Sequence, residues 1–126
     1  MSCYGVSIMS KPILCLDFDG VIHSYTSGWQ GADKILDPPV EGAKEFLQDA
    51  LQHFKVVIYS SRSVYADGPK AMREWMDSYG LDPFHEIEMP LHKPPAFVTI
   101  DDRAITFTGK WPSIGELVDF KPWNKK

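Results

Sequence analysis

Along this chain, short apolar runs without alternation are separated by stretches in which apolar residues recur every three or four positions. Pro12 to Leu16 (Pro-Ile-Leu-Cys-Leu) is one such run, and it ends at the polar Asp17. Runs of this kind suit a central parallel strand covered on both faces. Lys55 to Tyr59 (Lys-Val-Val-Ile-Tyr) is a second, stopping at Ser60, and Ala96 to Ile100 is a third, stopping at Asp101-Asp102. Ile87-Glu-Met-Pro90 reads as a further short strand. Between them, Pro39 to His53 carries Ala43, Phe46, Leu47, Ala50 and Leu51 at helical spacing. Pro69 to Tyr79 puts Met72, Trp75, Met76 and Tyr79 on one helical face, with Gly80 as its stop. Ser113, with Glu116 three residues on, predicts a capped last short helix.

Strand–helix alternation predicts an α/β fold with a central parallel sheet and helices on both faces. In open sheets of this type, ligands bind outside the carboxyl ends of the strands. Asp17, Ser60 and Asp101 each come directly after an apolar strand, so three strands deliver polar residues to one edge.

Composition narrows the class. The 126 residues fit one domain, 1–126, and a chain 44% hydrophobic and 24% charged is globular rather than disordered. A net charge of −4 argues against a general nucleic-acid binder and leaves nucleic acid only as a substrate. Two cysteines, Cys3 and Cys15, give neither a disulfide framework nor zinc-ligand spacing. His23, His53, His85 and His92 show no metal-ligand spacing either; surface roles are expected for His23 and His92, and His53 ends a helix. No stretch approaches the roughly 20 apolar residues of a membrane span, and the N-terminus lacks a secretory apolar region, so a cytoplasmic location is expected. Residues 1–10 read as an N-terminal extension and residues 121–126 as a solvated or loosely docked basic tail.

Four groups of residues carry candidate chemistry. In Asp17-Phe-Asp-Gly-Val21, an isolated carboxylate is ionised at neutral pH, so Asp17 can attack phosphorus without a separate base. Asp19, on the same side if extension continues, can protonate a leaving oxygen and then activate water. Gly20 marks where the backbone leaves strand geometry. In Ser60-Ser-Arg62, a hydroxyl and backbone N–H groups can hold phosphate oxygens; alternation puts only one serine in the site, and Ser60 is the expected one. Arg62 suits either a substrate anion or a surface ion pair. Lys93, shortly before the last strand, would offset phosphoryl charge. Asp101-Asp102 suggests a divalent cation, with Asp17 and Asp101 as direct Mg²⁺ ligands, Asp19 giving its backbone carbonyl, and Asp102 acting directly or through water. Gly20, Ser61 and Arg62 complete the candidate substrate-binding set.

In this order, from Ile13 to about Gly109, these residues resemble the haloacid-dehalogenase-like phosphatase superfamily. Its signatures are a strand ending in Asp-x-Asp, a strand ending in Ser or Thr, a lone Lys, and a strand ending in acidic residues. The resemblance implies a three-layer Rossmann-like fold, Mg²⁺ dependence, an Asp17 nucleophile, an Asp19 acid/base and a short flap hairpin after the first strand, matched by residues 22–36. Neither interval that carries a cap domain in larger relatives has room for one here. A capless site would be open to a large substrate, such as a phosphorylated polymer end, or closed by a partner subunit, and phosphorylated small molecules fit equally.

Two other classes compete. A phosphoacceptor receiver module has a similar length, but carries its acidic pair after the first strand and its phosphorylated Asp after a middle one. Here the middle strand ends in Ser60, and Asp19 has no counterpart. A catalytically idle binding protein on the same fold is the second, although every signature residue is present.

Overall fold

The computed structural model describes residues 11–125, so residues 1–10, with Cys3 and the expected extension, and Lys126 lie outside the described residues. The fold is mixed α/β around a small open sheet of three parallel strands. β1 (Ile13–Leu16) lies in the middle, flanked by β2 (Lys55–Ile58) and β3 (Val98–Ile100). Leu14 pairs with Val56 and Val98, and Leu16 with Ile58 and Ile100. Because side chains alternate across a strand, these six share one face, and Cys15, Val57 and Thr99 share the other.

Among the described residues, three helices accompany the sheet: α1 (Ala43–His53), α2 (Gly68–Ser78) and the short α3 (Ile114–Val118). Leu47 and Ala50 of α1, with Met72, Trp75 and Met76 of α2, join Leu14, Leu16, Val56 and Ile58 in one apolar cluster that Phe18, Ile22 and Ile87 complete. Each fully buried Val, Leu, Ile, Phe or Met in it stabilises the fold by about 1.5–3 kcal/mol relative to exposure. Phe46 and Tyr79, expected on the buried faces, stay nearly half exposed.

Both longer helices thus sit on one face rather than being shared between two. Connectivity explains this. The steps from β1 to β2 and from β2 to the segment at Glu88 run in the same direction, and right-handed connections then land on the same side. The expected strand at Ile87–Pro90 shrinks to a single bridge, with the Ile58 N–H donating to the Glu88 carbonyl (2.9 Å). Asp82, buried, accepts from the N–H groups of Glu86 and Ile87 and from Arg73, which holds that segment against the sheet. To reach β3 on the far side of β1, the chain returns across the opposite face as irregular backbone, and that crossing brings Lys93 next to Cys15 and Thr99.

Helix α1 begins at Ala43, the first residue of its apolar stripe, and not at Pro39, the expected start of the segment. The Val40 N–H donates to the Ile22 carbonyl (2.8 Å) and Pro39 bridges His23, so these residues remain extended until Gly42, at φ +85°, turns the chain. Residues 22–36 form no hairpin among the described residues. They are an irregular loop with turns at Tyr25–Gly28 and Gly31–Lys34, closed by Ser27, whose N–H and hydroxyl both donate to Asp37. The expected half of a capping box forms at α3: the Glu116 N–H donates to Ser113 Oγ (3.1 Å). No helix among the described residues is long and apolar enough to cross a membrane.

Candidate active site

The strand ladder continues one residue past β1, since the Asp17 N–H donates to the Ile100 carbonyl (3.0 Å). The chain then turns tightly: the N–H groups of Val21, Ile22 and His23 all donate to the Phe18 carbonyl. Gly20 takes φ +83°, and a Cβ there would overlap the Asp102 carboxylate, so the turn requires glycine twice over.

That turn and the end of β3 gather three acids. Asp17, Asp101 and Asp102 each offer a carboxylate oxygen within 4.8 Å of the others. The Arg103 N–H donates to Asp101 Oδ1 (2.8 Å), whereas Asp102 Oδ1 is buried without a partner. Burial raises the Asp17 carboxyl; the Phe18 N–H opposes this, Asp101 and Asp102 add to it, and the result is a rise to about 8. An isolated carboxylate is ionised at neutral pH; here desolvation and two neighbouring anions disfavour the charge on Asp17 unless a cation offsets it. Three converging carboxylates, one of them with an orphaned oxygen, match the oxygen donors that Mg²⁺ takes. Asp17, Asp101 and Asp102 are the side chains that could hold it.

Two cavities flank Asp17. One, of about 180 Å³, is lined by Cys15, Tyr59, Ser60, Ser61, Lys93, Thr99 and Asp101. The other, of about 270 Å³, is lined by Asp19, Tyr25, Ser61, Asp101, Asp102 and Arg103. The two serines divide their tasks differently from expectation. Ser60 is buried and its Oγ accepts from the Arg62 N–H (3.0 Å), while the Ser60 N–H donates to Ser63 Oγ, capping the 3₁₀ turn Ser61–Val64. Ser61 is exposed and lines both cavities, so it is the hydroxyl free to meet a ligand. Lys93 lines the first cavity, and no ion pair engages its ammonium among the described residues. Burial raises the Cys15 thiol despite the pull of Lys93, which makes it an unreactive wall.

Asp19 stands apart from the acidic trio. Its carboxylate accepts from Arg62 Nε (2.9 and 3.1 Å) and from His23 Nδ1 (2.9 Å). The Asp37 N–H donates to His23 Nε2 (3.1 Å), which leaves the ring proton on Nδ1, facing Asp19. His23 is buried against Phe18 and Trp75, not on the surface as expected. Arg62 is wholly buried and opens onto neither cavity. Its Nη1 donates to the carbonyls of Gly31, Ala32 and Lys34, and its guanidinium lies 4.9 Å from the Trp29 ring. Both readings of Arg62 as a residue facing outward therefore give way to an internal one, because Asp19 and the loop carbonyls use its donors.

Three contributors escaped the sequence. Tyr25, at φ +61°, and Arg103 line the second cavity beside Asp17. Arg103 directly follows the acidic pair, and that adjacency was a usable signal; Tyr25 was visible only as one aromatic of the loop. The third is the tail: the Trp123 Nε1–H donates to the Gly20 carbonyl (2.7 Å) and Asn124 Nδ2 to the Ser24 carbonyl (3.2 Å). Of the two expectations for the tail, solvated or docked, Trp123 and Asn124 show the second, on the segment Gly20–Ser24. Comparisons of the chain with family models, with curated proteins and with solved structures returned no match.

Proposed function

We propose that this chain is a Mg²⁺-dependent phosphohydrolase that acts on phosphate monoesters through an aspartyl-phosphate on Asp17. The observation that carries this reading is the convergence of Asp17, Asp101 and Asp102 at one sheet edge, beside a cavity lined by Ser60, Ser61 and Lys93. Asp17 Oδ bonds to phosphorus as the bond to the leaving oxygen breaks. Asp19 gives that oxygen a proton, and then takes one from the water whose oxygen displaces Asp17. Ser61 and Lys93 offset the charge on the non-transferring oxygens. Bound at Asp17, Asp101 and Asp102, with the Asp19 carbonyl as a further donor, Mg²⁺ would neutralise the carboxylates and the phosphoryl group.

The same reading places the chain among capless haloacid-dehalogenase-like proteins of three-layer Rossmann-like architecture, working in the cytoplasm. The parallel order β2-β1-β3 and the sequence order of the four signatures support it. A phosphorylated small molecule or a phosphorylated polymer end is the substrate.

The test is turnover of p-nitrophenyl phosphate with Mg²⁺, for wild type and Asp17→Asn. Sustained turnover in wild type and a fall of roughly 10³-fold or more in the variant are expected. A single uptake of a phosphoryl group without turnover would identify a receiver module instead, and wild-type-like activity in Asp17→Asn would remove the nucleophile.

A further inference from the structure

The proposed reaction asks Asp19 to move a proton twice, so its carboxylate has to keep one orientation toward the cavity it shares with Asp17. Two buried side chains hold it. Arg62 Nε reaches both oxygens, at 2.9 Å to Oδ2 and 3.1 Å to Oδ1, and His23 Nδ1 reaches Oδ1 at 2.9 Å. His23 is itself oriented from behind by the Asp37 N–H. Arg62 also gathers the carbonyls of Gly31, Ala32 and Lys34, which belong to the loop that the resemblance identifies as the flap. One guanidinium thus joins the end of β2, the Asp17–Gly20 turn and that loop.

Stability alone does not call for arginine here. A buried ion pair gains little over apolar packing of similar volume, and Arg62 Nη2 is left buried without a partner. What the guanidinium adds is direction: Nη1, held by three loop carbonyls, sets the plane of the group, so Nε–H meets the Asp19 carboxylate along a fixed line that a freely rotating ammonium does not provide.

We infer that Arg62, assisted by His23, is a positioning residue that aims Asp19 for proton transfer and ties that aim to the flap. This rests on the proposed phosphohydrolase reading. In the first half-reaction the Asp17 Oδ–P bond forms as the P–O bond to the leaving group breaks, and the Asp19 proton goes to the departing oxygen. An alkoxide needs that proton, whereas p-nitrophenolate leaves as a stable anion.

The experiment measures kcat/KM with Mg²⁺ for p-nitrophenyl phosphate and for an alkyl monoester, glycerol phosphate, in wild type, Arg62→Lys and His23→Gln. The aryl-to-alkyl ratio is expected to rise roughly 10²-fold in Arg62→Lys, the scale of one proton-transfer contribution, and by less in His23→Gln. Both rates scale with the folded fraction, so the ratio is unaffected if a variant is partly unfolded. Equal losses on the two esters in Arg62→Lys would overturn the positioning role while leaving the phosphohydrolase standing. If wild type cleaved neither ester, the phosphohydrolase reading itself would fall, and this inference with it.

Discussion

The indole N–H of Trp123 donates to the carbonyl of Gly20 at 2.7 Å, joining residues 103 positions apart in the chain. Gly20 ends the turn that begins at Asp17, and its own N–H donates to the His23 carbonyl (2.8 Å). The tail therefore satisfies the Gly20 carbonyl on a turn whose conformation sets where Asp17 and Asp102 meet.

Trp123→Phe keeps the ring and removes the donor. It is expected to lower stability by about 1 kcal/mol, the net value of one hydrogen bond. The Gly20 amide should exchange with deuterium faster in the variant, because its turn loses an anchor. Unchanged Gly20 exchange would show that the tail rests on the turn without holding it.

Gly20→Ala adds a methyl group where the Asp102 carboxylate already stands, at a φ that side chains avoid. Left-handed backbone costs about 1–2 kcal/mol in itself. The larger effect is expected on turnover, roughly 10²-fold or more, because displacing Asp102 by an ångström misplaces the acidic trio. A kinetic comparison at matched folded fraction checks this; a variant as active as wild type would mean that Asp102 is free to move aside.

Asp37 supplies a pH-dependent contribution to stability. Desolvation pushes its carboxyl up, but hydrogen bonds from the Ser27 hydroxyl and N–H and from Thr26, together with His23, leave it lower than usual. A lowered folded value means that stability is present above the ordinary carboxylate range near 4 and is lost as pH falls through the folded value. Asp37→Asn is therefore expected to cost about 1 kcal/mol at pH 7, with the gap closing as pH falls below the ordinary carboxylate range and the wild-type carboxyl protonates. Denaturant melts at several pH values measure it, and a pH-independent gap would contradict the assignment.

Addition of Mg²⁺ is expected to raise the melting temperature of wild type, by an amount equivalent to about 2.7 kcal/mol at a hundred times the dissociation constant. EDTA should reverse the shift and stop turnover. Asp102→Asn should lose the Mg²⁺ response while melting no lower than the metal-free wild type, since removing one of three crowded anions relieves repulsion. A full Mg²⁺ shift in that variant would exclude Asp102 as a ligand.

How much of this the sequence carried follows from the range of the interactions involved. Apolar runs and helical spacing are local, so β1, β2, β3 and the buried stripes of α1 and α2 were readable, and so were the three strand ends at Asp17, Ser60 and Asp101. Where an element competed with a distant partner, local reading erred. Val40 pairs with Ile22 and delays α1, and the predicted strand around Glu88 keeps one bridge.

The amino-acid order by itself determined which residues reach the sheet edge, because strand length and termination depend on neighbours. Only the tertiary structure decided what those residues do there. It turned Ser60 into its own cap and left Ser61 exposed, sank Arg62 and His23 under Asp19, and brought Trp123 onto Gly20. These outcomes depend on side-chain direction and on chain segments meeting across 43 and 103 positions, which packing of the whole chain fixes and no local pattern encodes.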